Sequence, residues 1–360
     1  MKKRRLDWLF WMGAAYLVLL LVFAIVGPVI GHDTIKAAVR DVCDVAVQTE
    51  LHAGQFVVQS VRSDAPAAQY IQADDVIVSV DGRQINTDTV LSMDRALEGP
   101  QGSDVTLQVM KGDGTVHDVS LKRDQTVAAA PFMPPSREFW LGTDEQGRDV
   151  FARLAFGARM SLFIGFLVQS ISLVVGVIMG TLGVFAPKWI SIPVLRLTDG
   201  MFAFPDILLA ILIVGIWADA RFTAMIVALS ITAWPAVARL ARTLMASLKD
   251  REYVIASKAL GANTGYLVVK HILPHLIGVL LAVAMIDVAA VILAESALSF
   301  LGIGIAPPTP SWGNMINTAR LNMSSHPVAL LWPCLILSLT IFALNFVGDG
   351  LRALADPKSG

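Results

Sequence analysis

Behind a basic start, MKKRR, residues Trp8 to Ile30 form an uninterrupted run of 23 uncharged residues. In water such a segment would have to be buried on every side. As a helix rising about 1.5 Å per residue it crosses a hydrocarbon core with some tilt. The run exceeds the apolar core of a secretory signal and no small-x-small cleavage site follows. It is therefore read as a retained membrane helix with Met1–Arg5 in the cytoplasm. Five more apolar spans are expected at roughly 160–185, 198–217, 222–241, 276–300 and 328–347, with Asp206, Asp219 and Arg221 crowding the junction between the second and third of these. Composition agrees: 55% of the 360 residues are hydrophobic and 16% charged, too apolar for a soluble domain of this size.

Six spans put both termini on one side of the membrane. The connector 242–275 carries Arg242, Lys249, Arg251, Lys258 and Lys270, and the C-terminal tail carries Arg352 and Lys358. Both then share the side of the N-terminal cluster, as the positive-inside bias requires. Four arginines between 137 and 159 would lie outside, in a long translocated loop where that bias is weak. A net charge of −1 argues against a nucleic-acid partner. Cys43 and Cys334 have no metal-ligand or redox spacing, and Cys334 sits inside an apolar span, so no bridge between them is expected.

Residues 32–130 differ in kind. Apolar and polar residues alternate over Phe56–Val61, Val76–Val80, Val105–Val109 and Val119–Leu121, as in strands with one buried face. Asp81-Gly82 and Gly112-Asp113-Gly114 are turn signals, the second a hairpin. Between 87 and 97, apolar residues at 90, 93 and 97 predict a short amphipathic helix. Residues 126–136 make a Pro/Ala linker. The expected division is 1–31 for the cytoplasmic start and first span, 32–130 for an outward sheet-rich domain with linker, and 131–360 for the remaining membrane part.

Enzyme signatures are missing. No GxxxxGK[ST] loop is present to cradle a nucleotide, no HExxH pair to hold zinc, and no Gly-x-Ser-x-Gly elbow. His271 and His275 are separated by Pro274, which disrupts the helix that would align them, so they are read as surface histidines and no metal or cofactor is expected. The informative segment is the connector, EYVIASKALGANTGYLVVKHILP from Glu252 to Pro274. Asp250 is placed to cap a short helix, Arg251–Leu260, which Gly261 would end in the left-handed conformation. Asn263 would cap the next helix, through Leu267–Ile272 to Pro274. A short helix with fixed ends can transmit a push that a flexible loop would dissipate.

The order FVVQSVRSDAPAAQYIQADDVIVSVDGRQI, helix, DVTLQVMKGDGTVHDVSL resembles a bacterial PDZ domain over roughly residues 40–124. Such domains capture a C-terminal carboxylate in a glycine-containing backbone nest. Here Cys43-Asp44-Val45 occupies that place, and Ala73-Asp74 replaces the family's Gly-Asp before the buried strand. Four further stretches resemble, in order, the inner-membrane permeases of binding-protein-dependent ABC importers of the dipeptide, oligopeptide and nickel group. They are Trp140–Asp149 continuing to Leu162, the connector itself, Glu295–Gly302 continuing to Met315, and Asn345–Arg352 with Asp356-Pro357. This likeness is loose over residues 1–30 and almost continuous over 138–358. It implies an all-α polytopic membrane protein of six transmembrane helices, with residues 32–130 a β-rich PDZ-like insertion in its first outward loop.

By the same resemblance the connector is a coupling helix that docks on a separate ATP-binding cassette ATPase through Glu252, Tyr253, Ala256, Ser257, Lys258 and Gly261. The family's Glu-Ala-Ala-x-x-x-Gly signature falls on Ile255-Ala256-Ser257 and Gly261, with Ile255 in the acidic position. Implied partners are the ATPase subunits, a second permease subunit, a periplasmic substrate-binding protein and the lipid bilayer. The implied place is the bacterial inner membrane, termini cytoplasmic and insert periplasmic, and the implied solute a short peptide or related small molecule moving inward. Asp287, near the middle of the fifth span, and Glu295, further along the same helix, are candidates for the translocation path, Glu295 with a packing or gating role. Trp312 and prolines 307, 308 and 310 are expected in an outer rim loop, and Asp149–Leu154 on the outer surface. The competing reading is a membrane-anchored PDZ scaffold or protease regulator.

Overall fold

The computed structural model describes residues 8–31, 39–52, 55–61, 65–84, 93, 96–98, 100, 102–123, 125–128, 131–217, 220–306 and 308–355. The basic start, Asp219, Pro307, Asp356-Pro357, Lys358 and most of the helix expected over 87–97 lie outside these residues. The chain divides into two compact units: Lys36–Arg148, and Met1–Ile35 together with Asp149–Gly360.

In the second unit the helices are α1 (Trp8–Ile30), α2 (Val150–Phe185), α3 (Lys188–Met201), α4 (Asp206–Ile216), α5 (Arg221–Leu248), α6 (Glu252–Ala259), α7 (Thr264–Phe300), α8 (Trp312–Leu321) and α9 (Pro327–Ala355). Among the described residues α1, α2, α5, α7 and α9 are each long and apolar enough to cross a membrane, and the pair α3 and α4 supplies a sixth span if taken together. That pair is bent by 95°. The single helix expected over 198–217 is therefore broken at Phe202–Pro205. Pro205 lacks the N–H a continuous helix would use and disfavours helical geometry in Phe204.

Two expectations for the outer loops are corrected. Asp149–Leu154 opens α2 and is not a surface strip: Asp149 accepts a hydrogen bond from the Phe151 N–H at 2.9 Å, and Val150, Ala152, Arg153 and Leu154 are buried. Trp312 is likewise no rim residue. It is fully buried at the start of α8, its indole N–H donating to the Leu154 carbonyl at 3.1 Å, and Ser311 caps that helix through the Asn314 N–H.

Small residues let the spans approach closely. A Cβ on Gly176 or Gly180 of α2 would lie under 3 Å from Val237, or from the Ala238 carbonyl and the Ala241 methyl, of α5. Helices in lipid associate through such backbone-to-backbone packing, since the tails are as apolar as leucine. On its other side α1 meets α9 at Gly13 and Ala343, and Tyr16 donates to the Ile336 carbonyl at 3.2 Å.

The Lys36–Arg148 unit is antiparallel. Strands β2 (Val47–His52), β3 (Gln55–Val61), β4 (Val76–Val80), β6 (Asp104–Met110) and β7 (Val116–Lys122) form a sheet in the order β2-β3-β4-β6-β7, with β5 (Arg83–Gln84) paired to β4. Strands β1 (Val39–Asp44) and β8 (Gln125–Ala128) pair separately. Alternate residues, among them Phe56, Val58, Ile77, Val105, Leu107, Val109 and Leu121, fill one core, joined by Met93 and Leu97. Both predicted turns form. Asp81 and Gly82 have φ of +50° and +72°, suited to a two-residue hairpin, and Gly114 has +82° between β6 and β7. Arg123 is 7% exposed and donates to the Leu97 and Ala96 carbonyls, holding 96–97 against the sheet.

Two details revise the expected PDZ anatomy. Cys43 and Asp44 do not form an open nest; they end β1, in register with Thr126 and Gln125 of β8. The left-handed position before the buried strand falls on Asp74, with φ +71°, one residue later than expected. Asp75 then takes the acidic place and pairs with Lys111 at 2.9 Å.

Candidate functional site

The connector folds as a capped helix and a continuation. Helix α6 begins with Arg251 as its N-cap, and no side chain caps it, so the role expected of Asp250 is not seen. Glu252 instead places a carboxylate in the first turn, where the helix dipole favours negative charge. The C-terminal end closes as a Schellman motif: the Ala262 N–H donates to the Ser257 carbonyl at 3.2 Å and the Gly261 N–H to the Lys258 carbonyl at 3.0 Å. Gly261 has φ +88°, a conformation that glycine adopts without steric cost. Asn263 then accepts from the Tyr266 N–H at 2.8 Å and starts α7.

Helix α7 runs from Thr264 through Phe300 without a break at Pro274. The stretch Leu267–Ile272 is widened to π geometry, a common way to absorb a residue that cannot donate. His275, just past the proline, places Nδ1 2.7 Å from the His271 carbonyl oxygen and donates to it in the Nδ1–H tautomer. Its ring also stacks on Tyr253, centroids 5.5 Å apart and planes 22° apart, while His271 meets Tyr266 edge-on. His275 therefore joins α6 to α7, while the contact of His271 lies within α7. No group of three or more potential metal ligands occurs among the described residues.

One residue roots α6 in the bundle. Val254 is 3% exposed and packs with Met245 of α5 and Leu267, Val268, Ile272 and Leu276 of α7. The rest of α6 faces outward. Tyr253, Ala256, Ser257 and Gly261 line an open groove of about 720 Å³ with Leu260 and Tyr266. Leu260 is 89% exposed and Ile255 56%, unusual for aliphatic side chains on a short polar helix. Glu252 and Lys258 are exposed on the same helix but do not line the groove.

The other candidates lie within the spans. Glu295 is wholly buried, accepting from Ser161 at 3.0 Å and Ser299 at 2.8 Å. Ser299 also accepts from the Ile305 N–H at 3.3 Å, so this carboxyl ties α2 and α7 to the loop leading to α8. Asp287 is half-buried and accepts from Gln169 Nε2 at 3.3 Å; both line a cavity with Asp206 and Thr232. The structure thus brings Asp287 to a cavity and seals Glu295 inside the packing. Sequence reasoning missed Gln169. Its signal was present: it is the one side-chain amide within the apolar span 160–185.

Comparison with known proteins bears on this arrangement. Residues 43–122 match the PDZ domain family. Oligopeptide transport system permease protein OppC of Bacillus subtilis is 39% identical over 225 residues, covering 62% of this chain and 73% of that protein. Dipeptide transport system permease protein DppC of the same organism is 40% identical over 227 residues, 63% and 71% respectively. Glutathione transport system permease protein GsiD of Pectobacterium atrosepticum is 38% identical over 224 residues, 62% and 74%. Residues 172–359, more than half of the chain, match the family described as binding-protein-dependent transport system inner membrane component. The chain is a member of that family of transporter permeases, and it carries a PDZ domain between its first two membrane helices.

Proposed function

We propose that this chain forms one half of the membrane pathway of an importer for short peptides and is driven by a separate ATPase that docks on α6. The carrying observation is the build of the connector. A helix closed by a Schellman turn, rooted through Val254 and stacked through Tyr253 on His275, is stiff enough to pass displacement into α7. Its outward face exposes Ile255, Leu260 and Tyr253, an apolar patch suited to a partner's groove. Ile255 stands where the family has an acidic residue, so this contact would rest on burial and little on charge.

In this reading residues 1–31 hold the cytoplasmic start and first span, 32–130 a periplasmic PDZ-like domain, and 131–360 the remaining permease body. A second permease completes the pathway and a periplasmic binding protein delivers the solute. Two similar permeases are named for oligopeptide and dipeptide transport, which favours a peptide here. Asp287 would line the path, and Glu295 would hold α2, α7 and the following loop in register during the switch.

Co-purification of the tagged chain with its ATPase tests the reading. Capture is expected with the native chain and is lost when Leu260 and Ile255 are both changed to Asp. A tagged chain that comes down with no nucleotide hydrolase, in detergent that preserves related importers, would discard the proposal.

A further inference from the structure

Midway along α7 the bundle holds a cavity whose polar lining is one-sided. It has a volume of about 200 Å³ and walls from α2, α5, α7 and the bend between α3 and α4. Its polar side chains are Gln169, Asp206, Thr232 and Asp287; no Lys, Arg or His contributes. Gln169 is 2% exposed, donates its amide N–H to Asp287 Oδ2 at 3.3 Å, and leaves Oε1 buried without a partner among the described residues. The Thr232 hydroxyl donates to the Leu229 carbonyl at 3.1 Å, leaving only lone pairs free. Arg239 does not line the cavity: its guanidinium lies 3.7 Å from the centroid of the ring of Phe202, a wall residue, and 3.5 Å from Asp199.

Apart from the second amide N–H of Gln169, the free polar atoms are all acceptors: both carboxylates, the orphan amide oxygen and a hydroxyl oxygen. A buried acceptor without a donor costs free energy, and so does an unpaired carboxylate inside a span. A guest that removes both penalties is positive and rich in N–H groups, and an ammonium offers three donors with its charge. The cavity is smaller than the roughly 300–1,000 Å³ typical of sites that enclose a whole small molecule, so it fits one end of a solute.

We propose that Gln169, Asp206, Thr232 and Asp287 form a cation subsite that receives the ammonium group of the solute as it passes through this half of the pathway. This rests on the importer reading above and adds to it the charge that the solute must present. The discrimination comes from the carboxylates, while Gln169 orients Asp287 and offers its own oxygen.

The intact complex tests this by carboxyl labelling with dicyclohexylcarbodiimide, read at Asp287 and Asp206 by peptide mass spectrometry. The probes are dialanine, N-acetyl-dialanine, which lacks the ammonium charge, and propylammonium. Dialanine and propylammonium are expected to protect both carboxyls and the acetylated peptide to leave them reactive. In vesicles, preference for the free amine is expected to be about tenfold or more, the scale of one hydrogen bond to a charged group, and to collapse towards parity in Asp287→Asn and Asp206→Asn. Equal protection by the two dialanines, or an unchanged preference in both variants, overturns the subsite. Protection by propylammonium with neither dipeptide effective keeps the subsite and removes the peptide reading instead. The labelling of the native chain needs no variant, so it stands even where a substitution fails to assemble.

Discussion

The ring of Tyr253 lies over that of His275, centroids 5.5 Å apart and planes inclined by 22°, one on the connector helix and the other one residue past the proline of α7. The pair closes a short circuit between connector and span that sequence spacing does not suggest, since 22 positions separate the two. Aromatic pairs of this kind add about 0.5–1.5 kcal/mol beyond the area they bury. A double-mutant cycle with Tyr253→Ala and His275→Ala is expected to return a coupling in that range, with His275→Phe retaining most of it. In reconstituted vesicles the single variants should lower solute uptake per nucleotide hydrolysed. An unchanged ratio would show that the stack is ornamental to coupling.

Gly261 is a cleaner probe of the same lever. Its φ of +88° is hostile to a side chain, yet nothing lies within 4 Å of where a Cβ would be. The cost of Gly261→Ala is therefore conformational alone, about 1–2 kcal/mol, and Gly261→Asn should cost less because asparagine visits this region more readily. ATPase capture and transport are expected to rank native, then Asn, then Ala. The reverse ranking, or no effect of Ala, would mean that the Schellman turn does not hold the docking face in place.

Much of this was legible beforehand, for identifiable reasons. Long apolar runs and alternating strands report burial directly, so the spans and the sheet could be read off Trp8–Ile30 or Val105–Val109. Gly261 and Asn263 were legible because their backbone roles are local. What escaped depends on contacts between distant segments. Trp312 lies in a proline-rich stretch that looks exposed, yet Gly157 on α2 leaves the space its ring fills. Gln169, Thr232 and Asp206 meet Asp287 only once four segments are packed. The break at Phe202–Pro205 was within reach of the sequence, because Pro205 forbids the continuous helix that hydropathy alone suggested.

Asp74 offers a test in the PDZ unit. With φ +71° it occupies a left-handed position, donating its N–H to the Val58 carbonyl at 2.8 Å, next to Asp75, which precedes β4 and pairs with Lys111. The backbone conformation is strained for an L residue, while the hydrogen bond belongs to the backbone and survives substitution. Asp74→Gly is expected to stabilise the unit by up to about 1 kcal/mol, and Asp74→Val to destabilise it by more, since a β-branched side chain tolerates this region least. Urea unfolding of the PDZ unit, followed in the full chain by protease susceptibility of residues 36–148, would read both. Destabilisation by glycine would assign the aspartate side chain a role that its backbone geometry does not reveal.

Glu295 is where the packing of the membrane unit is most exposed to a single change. Its two oxygens receive hydroxyl donors from α2 and from its own helix, and Ser299 in turn holds the Ile305 N–H. Glu295→Gln keeps an acceptor oxygen but adds an amide that meets hydroxyl groups already oriented as donors, so a modest loss is expected. Glu295→Leu removes both acceptors and leaves the Ser161 and Ser299 hydroxyls buried, at about 1–3 kcal/mol for each left unpaired. The triple change Glu295→Leu with Ser161→Ala and Ser299→Ala removes those two donors with their acceptors but leaves the Ser296 hydroxyl and the Ile305 N–H without Glu295 and Ser299, so it should recover part of that loss. Thermal unfolding of the detergent-purified complex orders the three. If the triple variant regains stability but not transport, the carboxyl acts in the switch as well as in the packing. If it regains both, Glu295 is a structural link and no part of the gate.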